Sequence, residues 1–162
     1  MEGKKSISRA ILVFGAPCSG KSTFCKKFSN QFKAPYYDLS QLKTEYNLSR
    51  KQLVMLVEQI AKTGVTFVLE GGIDTEADRQ ELRNLLRKAG YEPSLVWIQT
   101  DVSTIKSRLK TRLKSVSKAK AEYDNKVKRL EAPSDTESAI ILSGKHTYPT
   151  QAKHVLTQLA EY

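Results

Sequence analysis

Nine consecutive residues carry the most specific chemistry in this chain: Gly15, Ala16, Pro17, Cys18, Ser19, Gly20, Lys21, Ser22 and Thr23. Glycines at the first and sixth positions of the run let a backbone curl until several N–H groups point into one concavity, a nest for anions. Lys21 supplies a cation for outer phosphates and Ser22 a hydroxyl for Mg2+. The apolar run Ala10–Phe14 precedes the nine and the helix-compatible Phe24–Phe28 follows them. Strand, loop and helix are the setting in which G-x-x-x-x-G-K-[ST] cradles a nucleoside triphosphate, with the positive end of the helix dipole added to the same anion. All nine residues are therefore expected to hold the nucleotide. The Asn/Thr-Lys-x-Asp pattern that specifies guanine is absent from the chain, which points to ATP.

Phosphoryl transfer further needs a metal, an oriented nucleophile and cations around the moving group. Glu70 ends an apolar strand-like run and is expected, with Ser22, to hold Mg2+, either directly or through water; the other reading is a cap for Gly71 and Gly72. Asp38 is the expected acceptor of a proton from an incoming hydroxyl, and an Asx-type cap of a helix starting near Ser40 is its alternative role. Arg108 and Arg112, four apart on one helical face, present planar forks suited to a charge-spread transition state. Lys21, Asp38, Arg108 and Arg112 form the expected catalytic set. Nearby Lys114 and Lys118 are further cations. His146 and His154 stand alone and read as surface residues; Cys18 and Cys25 lack metal-type spacing and read as free thiols.

The elements that must position these groups follow from periodicity. Ala10–Phe14, Pro35–Leu39, Val65–Leu69, Ser94–Gln99 and Ala139–Leu142 read as buried strands. Between them lie helical patterns. The first runs from about Lys21 to Gln31 with Phe24, Phe28 and Phe32 on one face. Ser49 and Gln52 have capping-box spacing ahead of Leu53, Val57 and Ile60. Thr75 caps a helix with Leu82, Leu85, Leu86 and Ala89 inward. A basic helix follows with Ile105, Leu109, Leu113 and Val116 as its stripe, and a last one starts near Thr150 with Val155, Leu156 and Leu159 inward. Alternating strands and helices predict a three-layer α/β/α fold on a five-stranded parallel sheet. Ligands of such sheets sit beyond the carboxyl ends of the strands, where Asp38, Glu70, Asp101 and Ser143–Lys145 all fall.

The length, 162 residues, predicts one domain spanning 1–162. No apolar run is long enough to cross a bilayer, and residues 1–6 lack the apolar segment of a secretory signal, so a cytoplasmic, non-membrane protein is expected. Of the net charge of +10, residues 106–129 carry +8, from ten Lys/Arg against Glu122 and Asp124. Such a segment attracts polyanions: nucleotide phosphates, or a nucleic-acid backbone. Tyr123 is the one aromatic residue between Trp97 and Tyr148, which leaves no interleaved platform for stacking bases.

With these residues in place, the chain resembles the small P-loop kinases grouped with the AAA-33 domain, among them polynucleotide-kinase-like and zeta-toxin-like proteins. The resemblance rests on Ile11–Thr23, Tyr37-Asp38, Val68–Gly72, Arg108–Arg112, Glu131–Pro133 and Ile140–Gly144. It implies ATP- and Mg2+-dependent transfer of a phosphoryl group to a hydroxyl of a metabolite, nucleoside or nucleotide. It also implies a basic helical lid over about 106–130, and contact of Ser143, Gly144 and Lys145 with the adenine. A polynucleotide end kinase, a nucleic-acid-binding ATPase and a weakly catalytic nucleotide-binding regulatory module are the alternatives. Relatives often carry an Asp…Arg pair, spaced by three, after strand two; that spacing falls here on Ser40 and Lys43, with Asp38 two residues upstream.

Overall fold

The computed structural model describes residues 7–161. The N-terminal hexapeptide read above for a signal lies outside the described residues. In chain order the elements are β1 (Arg9–Phe14), α1 (Lys21–Phe32), β2 (Tyr36–Asp38), α2 (Leu39–Glu45), α3 (Arg50–Ala61), β3 (Phe67–Glu70), α4 (Glu76–Lys88) and β4 (Glu92–Gln99). They are followed by α5 (Val102–Leu113), α6 (Val116–Val127), a single 3-10 turn at Asp135–Glu137, β5 (Ile140–Ser143) and α7 (Tyr148–Ala160). The five strands form one sheet in the order β2-β3-β1-β4-β5, and every pairing is parallel. This is the expected three-layer α/β/α fold.

Strand β1 lies at the centre, so both of its faces are covered and its sequence is continuously apolar from Ala10 onward. Alternation still sorts its side chains. Ile11 and Val13 pack with Phe24 and Phe28 of α1 and Val155 of α7. Leu12 and Phe14 pack with Leu53 and Val57 of α3 and Leu82 and Leu86 of α4. Burying one such side chain contributes about 1.5–3 kcal/mol. The capping boxes at Ser49/Gln52 and Thr75/Asp78 are both formed, which fixes where α3 and α4 begin.

The structure differs from the periodicity at several places. Strand β2 covers only Tyr36–Asp38 and Leu39 opens α2, β4 and α7 each start two residues early, at Glu92 and Tyr148, and Ile141 is exposed because β5 is an edge strand. Strand β3 begins at Phe67, two residues later than expected. Val65 stays exposed, and its carbonyl accepts the Tyr91 hydroxyl at 2.9 Å. Leu156 is exposed on α7. Ala89 is the exposed C-cap of α4, not part of its buried stripe. The basic stretch is two helices, not one: Lys114 takes a left-handed φ of 53° and Ser115 caps α6 through the Lys118 N–H. Val116 therefore starts a new helix and points to solvent, 64% exposed. The resulting hairpin has its own small core of Ile105, Leu109 and Ala119, and this packs on Ala16 and Cys18. The basic segment is thus seated directly on the glycine loop.

Candidate functional site

Helix α1 opens on Gly20 in a left-handed conformation, φ +103°, with no side-chain cap. Its first N–H groups have no carbonyl one turn back and are left for an anion. Phe24 is the first residue to bond back, to the Gly20 carbonyl at 3.0 Å. The Lys21 ammonium donates to the Ala16 carbonyl at 2.8 Å, closing the loop on itself. Burial pulls Lys21 below its ordinary range, against the attraction of Glu70 and Asp74. Arg108 holds the loop from above: one guanidinium nitrogen donates to the Cys18 carbonyl at 2.9 Å and the other to the Gly144 carbonyl at 3.3 Å. Gly144 comes so close that an added Cβ would stand 2.2 Å from the Ser19 carbonyl oxygen. Only a residue without a side chain lets the loop after β5 lie against the loop after β1.

Beneath Lys21, the Ser22 hydroxyl donates to Glu70 Oε1 at 2.8 Å, and the Tyr36 hydroxyl donates to Oε2 of the same carboxylate. Glu70 is only 5% exposed. Register explains the meeting: β2, β3 and β1 are adjacent, with Tyr36 paired to Val68 and Val13 to Glu70. Burial first, and then the hydrogen bond to Glu70, push the Tyr36 phenol far above its usual range, so it remains a donor. Hard oxygen donors of this kind fit Mg2+, which keeps water and phosphate oxygens as its other ligands. Among the described residues no group of three or more His, Cys, Asp and Glu could hold a metal ion by itself. Cys25 is buried nearby; burial and then Glu70 push its thiol up, so it stays protonated and unreactive. Tyr36→Phe is expected to lower stability by about 1.5–3 kcal/mol, read by urea unfolding, because a buried carboxylate loses a donor. An unchanged midpoint would mean that Glu70 finds another partner.

Two clefts meet at the loop. One, of about 1010 Å3, is walled by Gly20, Thr23, Lys27, Arg108, Gly144, His146 and Tyr148. The other, of about 660 Å3, is walled by Asp38, Gln41, Glu70 and Asp74 on the sheet side and by Asn125, Lys126 and Arg129 on the side of the basic hairpin. Cys18, Lys21, Ser22 and Arg112 line both. The first cleft has Tyr148 and His146 in its wall; the second has no aromatic ring.

Each expected site residue has a definite place. Gly15 and Pro17 line the second cleft, and Gly20 and Thr23 the first. Ala16 lends its carbonyl to Lys21, and Ser19 is fully buried with its hydroxyl unpartnered. Arg112 spans both clefts but is ion-paired to Glu122 of α6, which also binds Lys126 at 3.2 Å. Burial opposes ionisation of Glu122, yet the bonds from Arg112 and Lys126 hold its carboxyl below the usual range. Asp38 lines the second cleft and also caps α2, accepting from the Gln41 N–H at 2.9 Å, so the capping role weighed for it is formed. Ser143 and Lys145 do not join Gly144 in the cleft wall: Lys145 pairs with Asp101, the cap of α5, and the Ser143 carbonyl accepts from Gln151. His146, read as a bystander, does line the first cleft.

Three residues escaped the sequence reading. Tyr148 stands at the mouth of the first cleft with Lys27 over its ring at 5.8 Å. Asp74 faces Lys21 across the second; burial pushes its carboxyl up, with the Lys21 charge pulling the other way. Arg79 is fully buried behind the site. It donates to both oxygens of Glu137 at 2.6 and 2.9 Å and to the carbonyls of Ile73, Asp74 and Glu131. Its guanidinium also lies 4.5 Å from the centre of the Phe14 ring. The signal for Arg79 was its spacing, three before Leu82 and seven before Leu86, which puts it on the buried stripe of α4.

Comparison with known proteins agrees with this fold. A family model described as an AAA domain, AAA_33, matches residues 11–133. No curated protein sequence matches the chain. Among solved structures, it is similar to a sugar kinase from Janibacter sp., at 18% identity and a TM-score of 0.74, with 94% of this chain and 95% of that one covered. A gluconokinase from Sinorhizobium meliloti is similar at 15% identity and a TM-score of 0.75, covering 96% and 93%. The Mycobacterium tuberculosis APS kinase CysC, in complex with AMPPNP and APS, is similar at 14% identity and a TM-score of 0.71, covering 94% and 98%.

Proposed function

Because the chain belongs to the AAA_33 family of AAA domains, we propose that it is an ATP-dependent kinase that moves the γ-phosphoryl group to a hydroxyl of a small metabolite, nucleoside or nucleotide. One observation carries this reading. Two clefts of different chemistry share only Cys18, Lys21, Ser22 and Arg112, so a phosphoryl group held there borders both. The cleft with Tyr148 takes the adenine, since an aromatic wall suits a purine. The other takes the acceptor. The kinase names of the similar solved structures point the same way.

In this mechanism the N–H groups that open α1 and the Lys21 ammonium hold the phosphates, and Arg108 keeps the loop in shape. Asp38 orients the acceptor hydroxyl and accepts its proton; the acceptor oxygen bonds to the γ-phosphorus as the bridging bond to the β-phosphate breaks. ADP, the phosphoester and one proton are the products. Arg112 leaves Glu122 to share the charge of the moving group. Mg2+, held by Ser22 and Glu70, would neutralise phosphate charge when bound. Closing the lid over both clefts excludes water.

Arg112→Ala is expected to slow acceptor-dependent ADP release by about 10²-fold while changing ATP affinity far less. Equal losses in binding and turnover would assign Arg112 to ground-state binding instead. A second reading, a polynucleotide end kinase, is favoured by the exposed Lys110, Lys114, Lys118 and Lys120, which make no ion pair among the described residues. A steep loss of oligonucleotide binding with rising salt would support it.

A further inference from the structure

Resting on the kinase reading, we infer that the acceptor is a non-aromatic, polyhydroxylated small molecule carrying an anionic group, either a carboxylate or a phosphate. The acceptor cleft is built in two unlike halves. On the sheet side stand Asp38, Glu45 and Asp74; on the lid side stand Arg112, Lys126 and Arg129. The carboxylates are acceptors of hydrogen bonds when ionised, so their natural partners are hydroxyl donors, and they repel an anion. The Asp38 side chain uses one oxygen on the Gln41 N–H, and its other oxygen accepts no hydrogen bond among the described residues. The Asp74 carbonyl is fixed by Arg79 at 3.1 Å and by the Glu131 N–H at 2.8 Å, which holds this wall in place.

The lid half asks for the opposite charge. Arg112 and Lys126 share Glu122, but Arg129 makes no ion pair among the described residues and faces the same cleft. Its planar fork matches a carboxylate or a phosphate. The two halves fix the acceptor's orientation: hydroxyls toward Asp38 and Asp74 beside Lys21, the anionic end toward Arg129. A nucleoside brings hydroxyls for the carboxylate half but no anion for Arg129, and the cleft offers its base no aromatic ring. A nucleic-acid strand would draw its phosphates along the acidic wall. The reaction is unchanged by this choice: the acceptor O–H gives its proton to Asp38, its oxygen bonds to the γ-phosphorus, and ADP leaves with the electron pair of the broken bond.

The test is ADP release from Mg·ATP with five probes: gluconate, glucose 6-phosphate, sorbitol, adenosine and a 5'-hydroxyl oligonucleotide. Gluconate or glucose 6-phosphate is expected to stimulate release at least tenfold over sorbitol, and whichever works identifies the anion as carboxylate or phosphate. Arg129→Gln is expected to raise KM for that probe about tenfold with kcat within a factor of two or three, a split that general misfolding does not produce. Stimulation by sorbitol, adenosine or the oligonucleotide above the anionic probes overturns the acceptor class and leaves the kinase reading standing. Silence toward all five overturns the class too; transfer of label from ATP into a whole metabolite extract then tells whether the kinase reading survives. An unchanged KM in Arg129→Gln removes Arg129 from the site.

Discussion

Glu137→Ala is expected to destabilise the fold by about 3–5 kcal/mol, seen as a lower urea midpoint with an unchanged m-value. The size follows from what is left behind. Arg79 has no exposed surface, and two of its bonds, at 2.6 and 2.9 Å, are to this one carboxylate. Without Glu137 a guanidinium charge stays buried with only the carbonyls of Ile73, Asp74 and Glu131 and the Phe14 ring around it. The effect also depends on pH with a definite sign. The hydrogen bond from Arg79, working against burial, lowers the folded-state carboxyl of Glu137. Its contribution is therefore complete above the ordinary glutamate range and is lost as pH falls through the depressed folded value. In Glu137→Ala that part of the acid dependence should vanish. A loss below about 1 kcal/mol would mean that water reaches Arg79.

Asp38→Asn is expected to lower the rate of phosphoryl transfer by about 10²–10⁴-fold with ATP affinity retained. The substitution separates the two roles of this side chain. Asparagine caps a helix about as well as aspartate, so the bond from the Gln41 N–H that starts α2 is kept. What disappears is the proton acceptor. Asp74→Asn is the control, since it lines the same wall. If Asp74 were the base, Asp38→Asn would leave the rate alone. The acid limb of the kcat profile would then lie above the ordinary carboxylate range, because burial raises Asp74.

How much of this was legible in the sequence depended on the reach of each interaction. The glycine loop and its lysine were readable because the nest is made by one short stretch and its flanking elements. Glu70 and Asp38 were placed by the rule that ligands gather at strand ends, and their adjacency followed once β2, β3 and β1 were neighbours. The break in the basic segment was hidden. Lys114 adopts a left-handed conformation usually given to glycine, so the apolar spacing from Ile105 to Leu113 continues to Val116 with no glycine to mark the break. Arg79 and Glu137 are 58 residues apart, and Lys145 and Asp101 are 44 apart; pairs of that separation are fixed by tertiary packing alone. The absence of rings from the second cleft likewise belongs to a surface assembled from α2, β3 and α6, which no local window contains.

The account stands or falls on whether the phosphoryl group leaves ATP for an organic hydroxyl at this loop. The direct measurement follows ATP labelled in its γ-phosphate, incubated with Mg2+, a small-molecule metabolite extract and either the natural protein or Lys21→Ala. The account predicts label in an acid-stable phosphoester with the natural protein, and a rate lower by at least about 10²-fold with Lys21→Ala, which removes the buried ammonium of the phosphate nest. Tight ATP binding with label found only in ATP or in inorganic phosphate would contradict it, as would phosphoester formation that Lys21→Ala leaves intact.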